Sequence, residues 1–356
     1  MAEPAPPPAA PPPAAHAPAA HPPAAAPPAA RDRVGLVLAL LTFAALAAIP
    51  LFPDLVGGPA TITLFARMIL YAIAAVSLNL ILGYGGLVSF GHAAYLGLGG
   101  YTVGILYAHF ISGSPFLGLI PGTNQLLVTV PAAMLVSGLF ALAIGALSLR
   151  TTGVQFIMIT LAFAQMVFFL FVSLKVYGGD DGLIVRRPNV LFDLNLRDTT
   201  TMYYIGLVAL AAYVWLVARI VRSRFGRVLT GLRQNERRMA AIGISTYRYK
   251  LVAFVIAGMG AGLAGALMAN LQRFVSPDML AWTKSGELMI MVILGGAGSL
   301  IGPIWGAIAL VGMETALAGW TEHWQFWLGP ILICIVLFAR GGLYGFVASL
   351  LKRDGR

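Results

Sequence analysis

From residue 34 onward the chain is a succession of long apolar runs, separated by short polar or Gly/Pro-rich stretches. A helix that crosses a bilayer needs roughly 20 apolar residues. Runs of that order predict helices over 34–52, 61–82, 87–110, 125–149, 152–174, 201–220 and 251–271. Arg31 and Arg33 precede the first of these, Pro50 and Pro53 end it, and Arg150 hinges the fourth against the fifth. A further apolar stretch, 287–312, is interrupted by Gly295, Gly296, Gly298, Ser299, Gly302 and Pro303, and a last one covers 324–339.

Basic residues stay on the cytoplasmic side of a membrane protein. Arg31 and Arg33 therefore place the N-terminus inside, and the uncharged 111–126 segment lies outside. The loop from 175 to 198 mixes both signs and falls outside by count. The loop holding Arg219, Arg222, Arg224, Arg227, Arg233, Arg237, Arg238, Arg248 and Lys250 against one Glu236 is cytoplasmic. If 287–312 were a single crossing, the basic end with Arg340, Lys352, Arg353 and Arg356 would emerge outside. Breaking that stretch at its glycines returns the end to the cytoplasm and leaves a link through Glu314 and Glu322 facing outward. The expectation is an all-α, polytopic bundle of about ten transmembrane helices, including broken or half helices.

Composition agrees. Of 356 residues 59% are hydrophobic and 10% charged, where a soluble domain carries about a quarter charged. Lipid must be the solvent for much of this surface. The net charge of +10 is placed beside apolar runs, which suits lipid headgroups and cytoplasmic loops and argues against nucleic acid. The single cysteine, Cys334, excludes an intramolecular disulfide and a cysteine metal cluster. Residues 1–30 are almost wholly Ala and Pro and are expected to be a disordered tail of polyproline II character, not a signal peptide. The transmembrane domain is expected over 31–345, with a cytoplasmic loop at about 222–249, and a basic cytoplasmic tail over 346–356.

Two segments could carry chemistry. The first includes Asn79, Gly83, Gly86, Ser89, Gly91 and His92. Its glycines allow a helix to break, and its polar groups, at membrane depth, must bond across helices or face a pathway. The second is the basic loop, where Arg233, Asn235, Glu236, Ala240 and Gly243 fall in a short run too polar for lipid and suited to docking on a cytoplasmic partner; charge bias with lipid contact is the other reading. A weak echo links Ile81-Leu82-Gly83 and Gly86 with Ile293-Leu294-Gly295 and Gly298, as if two related halves each held an interrupted segment. The only Lys-Ser pair, Lys284-Ser285, lacks the glycines of a phosphate-binding loop, so ATP hydrolysis would have to come from a partner. Asp180-Asp181-Gly182 reads as a solvated turn, and His92, His109 and His323 are too dispersed for a metal site. Arg67 is expected to reach an interface or a neighbouring helix.

Both segments closely resemble the permease subunits of branched-chain amino acid ABC transporters, of the kind in which two related permeases pair. The likeness covers most of the chain after about Leu64, including 249–254 and the 293–303 run with Gly295, Gly298, Gly302 and Pro303. Within that family the chain looks like the partner with the longer N-terminal region. The resemblance implies an ABC importer permease fold in a bacterial inner membrane, with both termini cytoplasmic. It implies a coupling helix over 233–243, with Glu236 as the acidic residue of the loop motif and Arg233 and Asn235 beside it. It implies a translocation pathway near Asn79–His92. The implied partners are a second related permease, two cytoplasmic ATPase subunits that hold the ATP and Mg, and a periplasmic substrate-binding protein. No cofactor is implied for this chain itself. Three rivals stand beside this reading. A urea or short-amide importer would use nearly the same permease. An ion-coupled secondary transporter would want acidic or basic residues at mid-membrane. A membrane enzyme would want an acid, base or metal constellation, and the sequence offers none.

Overall fold

In hydrocarbon every backbone N–H and C=O must find its partner within the protein, and an α-helix does this within one segment. The computed structural model follows that rule almost throughout the residues it describes, 28–51, 58–115, 118, 121–191, 196–321, 323–338 and 341–353. The helices are α1 (Pro28–Ala48), α2 (Pro59–Asn79), α3 (His92–Ser112), α4 (Leu126–Ser148), α5 (Val154–Ser173) and α6 (Thr199–Arg222). They continue with α7 (Arg224–Gln234), α8 (Glu236–Ala241), α9 (Thr246–Gln272), α10 (Trp282–Gly295), α11 (Gly302–Ala318), α12 (Trp324–Phe338) and α13 (Gly342–Arg353). A two-residue ribbon, β1 (Leu183–Ile184) with β2 (Phe274–Val275), pairs antiparallel. Among the described residues six helices are long and apolar enough to cross a membrane, and shorter apolar helices accompany them.

Three of the six form the centre. The apolar windows of α2, α3 and α9 are 78%, 67% and 67% buried, against 33%, 28% and 33% for α4, α5 and α6. The outer helices turn Leu139, Met158, Phe169 and Trp215 to the surroundings, which is stable only where those surroundings are lipid or another subunit. Close approach through small residues holds the centre together, because lipid supplies no hydrophobic force between helices. A Cβ on Gly265 in α9 would run into the Leu96 carbonyl of α3, and one on Gly99 into the backbone of Gly262. Ser137 on α4 adds a hydrogen bond to the Tyr95 carbonyl at 2.9 Å.

Several expectations are corrected. The predicted third helix starts at His92 rather than 87, because α2 ends in a π-helical turn, Leu80–Tyr84, and the chain then passes Gly86 at φ 70° before it can restart. The single helix expected over 233–243 is two: α7 stops at Gln234, and Asn235, in an extended conformation, caps α8 by accepting from the Arg238 amide at 2.9 Å. The break expected in 287–312, by contrast, is present, between Gly295 and Gly302, with Gly296 at φ 115° and Gly298 at φ 84°. Glu314 lies within α11 rather than in a link, and Glu322 lies outside the described residues. Most of the expected C-terminal tail is helix α13, while Arg340 and Arg356 lie outside the described residues. The Ala/Pro tail is outside them up to residue 27, and α1 begins at Pro28.

Candidate functional site

The two interrupted segments that echo each other in sequence meet face to face. Asn79, fully buried at the end of α2, donates from Nδ2 to the Ser299 carbonyl at 2.7 Å and accepts the Gly298 amide on Oδ1 at 2.9 Å. One side-chain amide thus satisfies both a donor and an acceptor that the break between α10 and α11 sets free. Gly83 lies against this junction so closely that a Cβ there would run into Asn79 Oδ1 and the Gly298 amide. Ser299 secures the restart of the chain: its hydroxyl donates to the Gly296 carbonyl at 2.7 Å and accepts the Gly302 amide at 3.1 Å. Pro303 then occupies the first turn of α11, where a missing N–H costs nothing.

The basic segment reaches the same point. Arg233, near the end of α7, extends its guanidinium to the Gly83 carbonyl and brings Nη1 close to Gly298. Its aliphatic stem lies on Gly86, where a Cβ would sit 2.9 Å from Arg233 Cγ. Beyond the Asn235 cap, Glu236 pairs with Lys250 in the first turns of α9 at 2.6 Å, and the lysine side chain is only 9% exposed. Between these two connections opens a cleft of about 320 Å³, lined among others by Gly86, Thr152, Phe156, Arg233, Asn235 and Lys250. The outer face of α8 and of the turn after it is open: Arg237, Arg238, Ala240 and Gly243 are exposed, and so is the apolar Ile242.

Asn79, Gly83, Gly86, Gly298 and Arg233 therefore form one cluster, with Gly295, Gly302 and Pro303 shaping its far wall. Ser89, Gly91 and His92 form another. Ser89 Oγ accepts the Gly91 amide at 3.2 Å, and the Ala93 amide donates to Ser285 of α10 at 2.9 Å. Ser77 gives its hydroxyl proton to the Ala74 carbonyl, so His92 Nε2, 2.7 Å from Ser77 Oγ, is the donor in that pair. These groups anchor the start of α3 between α2 and α10. Sequence assigned no site role to Ser77 or Ile242, and it marked Ser285, Ser299 and Lys250 only as part of a Lys-Ser pair, an interrupting run and a basic loop. A serine in an apolar run carries no signal of its own, but an isolated lysine at the start of an apolar helix calls for a nearby acid, and Glu236 is the nearest in sequence. Among the described residues no three of His, Cys, Asp and Glu gather as metal ligands, and Asp180 and Asp181 belong to a one-turn 3-10 helix.

Residues 60–340 match the family described as the branched-chain amino acid transport system, permease component. The high-affinity branched-chain amino acid transport system permease protein LivM of Escherichia coli K12 is 26% identical over 320 residues, 82% of this chain and 72% of the relative. A probable branched-chain amino acid transport permease protein LivM of Methanocaldococcus jannaschii is 24% identical over 303 residues, 76% of this chain and 86% of the relative. The E. coli K12 permease protein LivH is 23% identical over 288 residues, 77% of this chain and 91% of the relative. No solved structure matches the chain.

Proposed function

The chain belongs to the branched-chain amino acid transport system permease family, and from that premise we propose that its α7–α8 segment receives the stroke of a cytoplasmic ATPase and passes it to the two helix breaks. It is a multi-pass membrane permease of an ABC importer for branched-chain amino acids. Likeness to both LivM-type and LivH-type permeases supports a second, related permease as its partner.

The observation that carries the proposal is the contact of Arg233 with the Gly83 carbonyl, which joins the basic segment directly to the interrupted part of α2. Broken and π-helical turns are the parts of a helix that deform at least cost. A displacement of α7 moves Arg233, Arg233 moves the π-turn at Gly83, and Asn79 hands the motion on to Gly298 and Ser299. A second link, Glu236 to Lys250, moves α9 through the centre of the bundle. The exposed face of α8 and of the turn after it, with Arg237, Arg238, Ala240, Ile242 and Gly243, is the surface offered to the ATPase. The chain is oriented with this face in the cytoplasm by the density of arginine around it. Two ATPase subunits hold the nucleotide and Mg, a periplasmic binding protein delivers the amino acid, and the membrane is the bacterial inner membrane.

Affinity purification of the tagged chain from lipid tests this. The intact chain brings down a second permease and an ATPase subunit. A variant carrying Arg237→Glu, Arg238→Glu and Ile242→Asp keeps the permease and loses the ATPase. If that variant retains the ATPase in full, α8 is not the docking surface.

A further inference from the structure

A charged cluster lies apart from this site, on the far side of the same helices. Arg67 sits in α2 within the apolar span Ala60–Tyr84, about 18 Å along the helix from Asn79. A charge at such depth is tolerated where it faces protein or a water-filled path. Its partner is Glu314 of α11, but the closest approach of the pair is 3.6 Å, longer than a hydrogen bond. Arg67 Nε is buried and has no hydrogen-bond partner, although a guanidinium carries five donors. Both side chains stay partly accessible, at 34% and 28%, so the pair is reached from the surface although Nε itself is covered. Tyr71, one turn along α2, is within electrostatic reach of Arg67, Glu314, Lys284 and Glu287. The neighbouring pair differs in kind: Lys284 Nζ holds both oxygens of Glu287 within hydrogen-bond distance, at 2.9 and 2.8 Å.

We propose that Arg67 receives the carboxylate of the amino acid in transit while Glu314 faces its ammonium group. A zwitterion carries one charge of each sign, so it can insert into a loose ion pair and replace attraction by attraction. A planar guanidinium with free donors accepts a carboxylate in bidentate fashion. The pair's own slack contact re-forms when the zwitterion departs, which keeps the site weak enough to release what it binds. The inference rests on the reading of the chain as an amino acid permease.

The test uses the full chain, co-expressed with its transport partners, carrying Tyr71→Cys in a Cys334→Ala background, since Cys334 is an exposed thiol. A membrane-impermeant methanethiosulfonate reagent labels the new cysteine. Leucine at about ten times its Kd slows labelling by roughly tenfold. Isocaproate, which lacks the ammonium, and isoamylamine, which lacks the carboxylate, each leave one member of the pair without an opposite charge and protect far less than leucine. Adding Arg67→Gln abolishes protection while the labelling rate without leucine stays at that of the parent and the partner permease still co-purifies, which shows that the chain remains folded. An unreactive cysteine, equal protection by isoamylamine, or protection that survives Arg67→Gln overturns the inference. Leucine uptake by cells carrying the unsubstituted chain separates the two failures. If uptake is present but protection absent, only the Arg67 assignment falls; if uptake itself is absent, the substrate reading falls with it.

Discussion

Replacing Asn79 with Ala removes the one side chain that closes the junction between the two broken segments. Two hydrogen bonds go, at 2.7 and 2.9 Å, from a residue with no exposed surface. Interhelical hydrogen bonds in bilayers average about 0.6 kcal/mol, which sets a floor near 1 kcal/mol for the pair. A buried donor or acceptor left unsatisfied costs about 1–3 kcal/mol, which sets a ceiling near 6. A loss of about 2–4 kcal/mol is expected, and at 1.4 kcal/mol per decade it multiplies local opening by roughly 30-fold to several-hundred-fold. Amide hydrogen exchange reads that opening directly. With the protein in lipid nanodiscs, the peptide spanning 296–301 loses protection by that factor in Asn79→Ala, while peptides from the middle of α9 keep theirs. Asn79→Asp, which retains the acceptor for Gly298 but loses the donor to Ser299, opens the same peptide as well. Unchanged protection at 296–301 in the alanine variant would refute the claim that Asn79 holds the break.

Arg233→Gln loses the guanidinium contact with Gly83, a bond worth about 1 kcal/mol on a partly exposed side chain, and so leaves assembly intact. Its effect is expected in coupling: leucine carried per ATP hydrolysed in reconstituted liposomes falls well below the parent value. Glu236→Gln leaves Lys250 almost wholly buried without its carboxylate, and about 1–2 kcal/mol is expected in thermal unfolding after allowing for the 38% exposure of the glutamate. Gly265→Ala drives a methyl group into the Leu96 carbonyl and lowers stability by about 1–3 kcal/mol. Gly113→Ala, at φ 67° with nothing within 4 Å, costs only about 1 kcal/mol of backbone strain. Melting of the two glycine variants side by side separates close approach from backbone conformation.

The membrane class and most of the spans were legible because lipid leaves a chain few choices: long apolar runs must be helices. The break at 295–302 was legible for the same reason, since glycines and a proline interrupt an apolar run only where the freed backbone is buried in protein. The end of α7 was readable in principle, because Asn235 three residues before Arg238 is a helix cap. The helix-compatible residues on either side concealed it. What sequence could not give was convergence. Arg233 and Gly83, or Asn79 and Gly298, are far apart in the chain, and nothing local says that an arginine beyond α6 leans back onto the end of α2. The echo between Gly83–Gly86 and Gly295–Gly298 was the nearest hint, and the structure gives it meaning by placing Gly83 against Gly298. Arg67 and Glu314 were each noticed alone, but a loosely held pair is a property of distance, which no pattern of residues reports.

The most direct measurement is labelled leucine uptake in cells with the gene deleted and then restored, with excess isoleucine, valine or urea as competitors. Uptake should fall on deletion, return with the gene, and yield to isoleucine and valine but not to urea. Leucine uptake indifferent to the gene, with urea or short-amide uptake following it instead, would contradict the assignment to branched-chain amino acids.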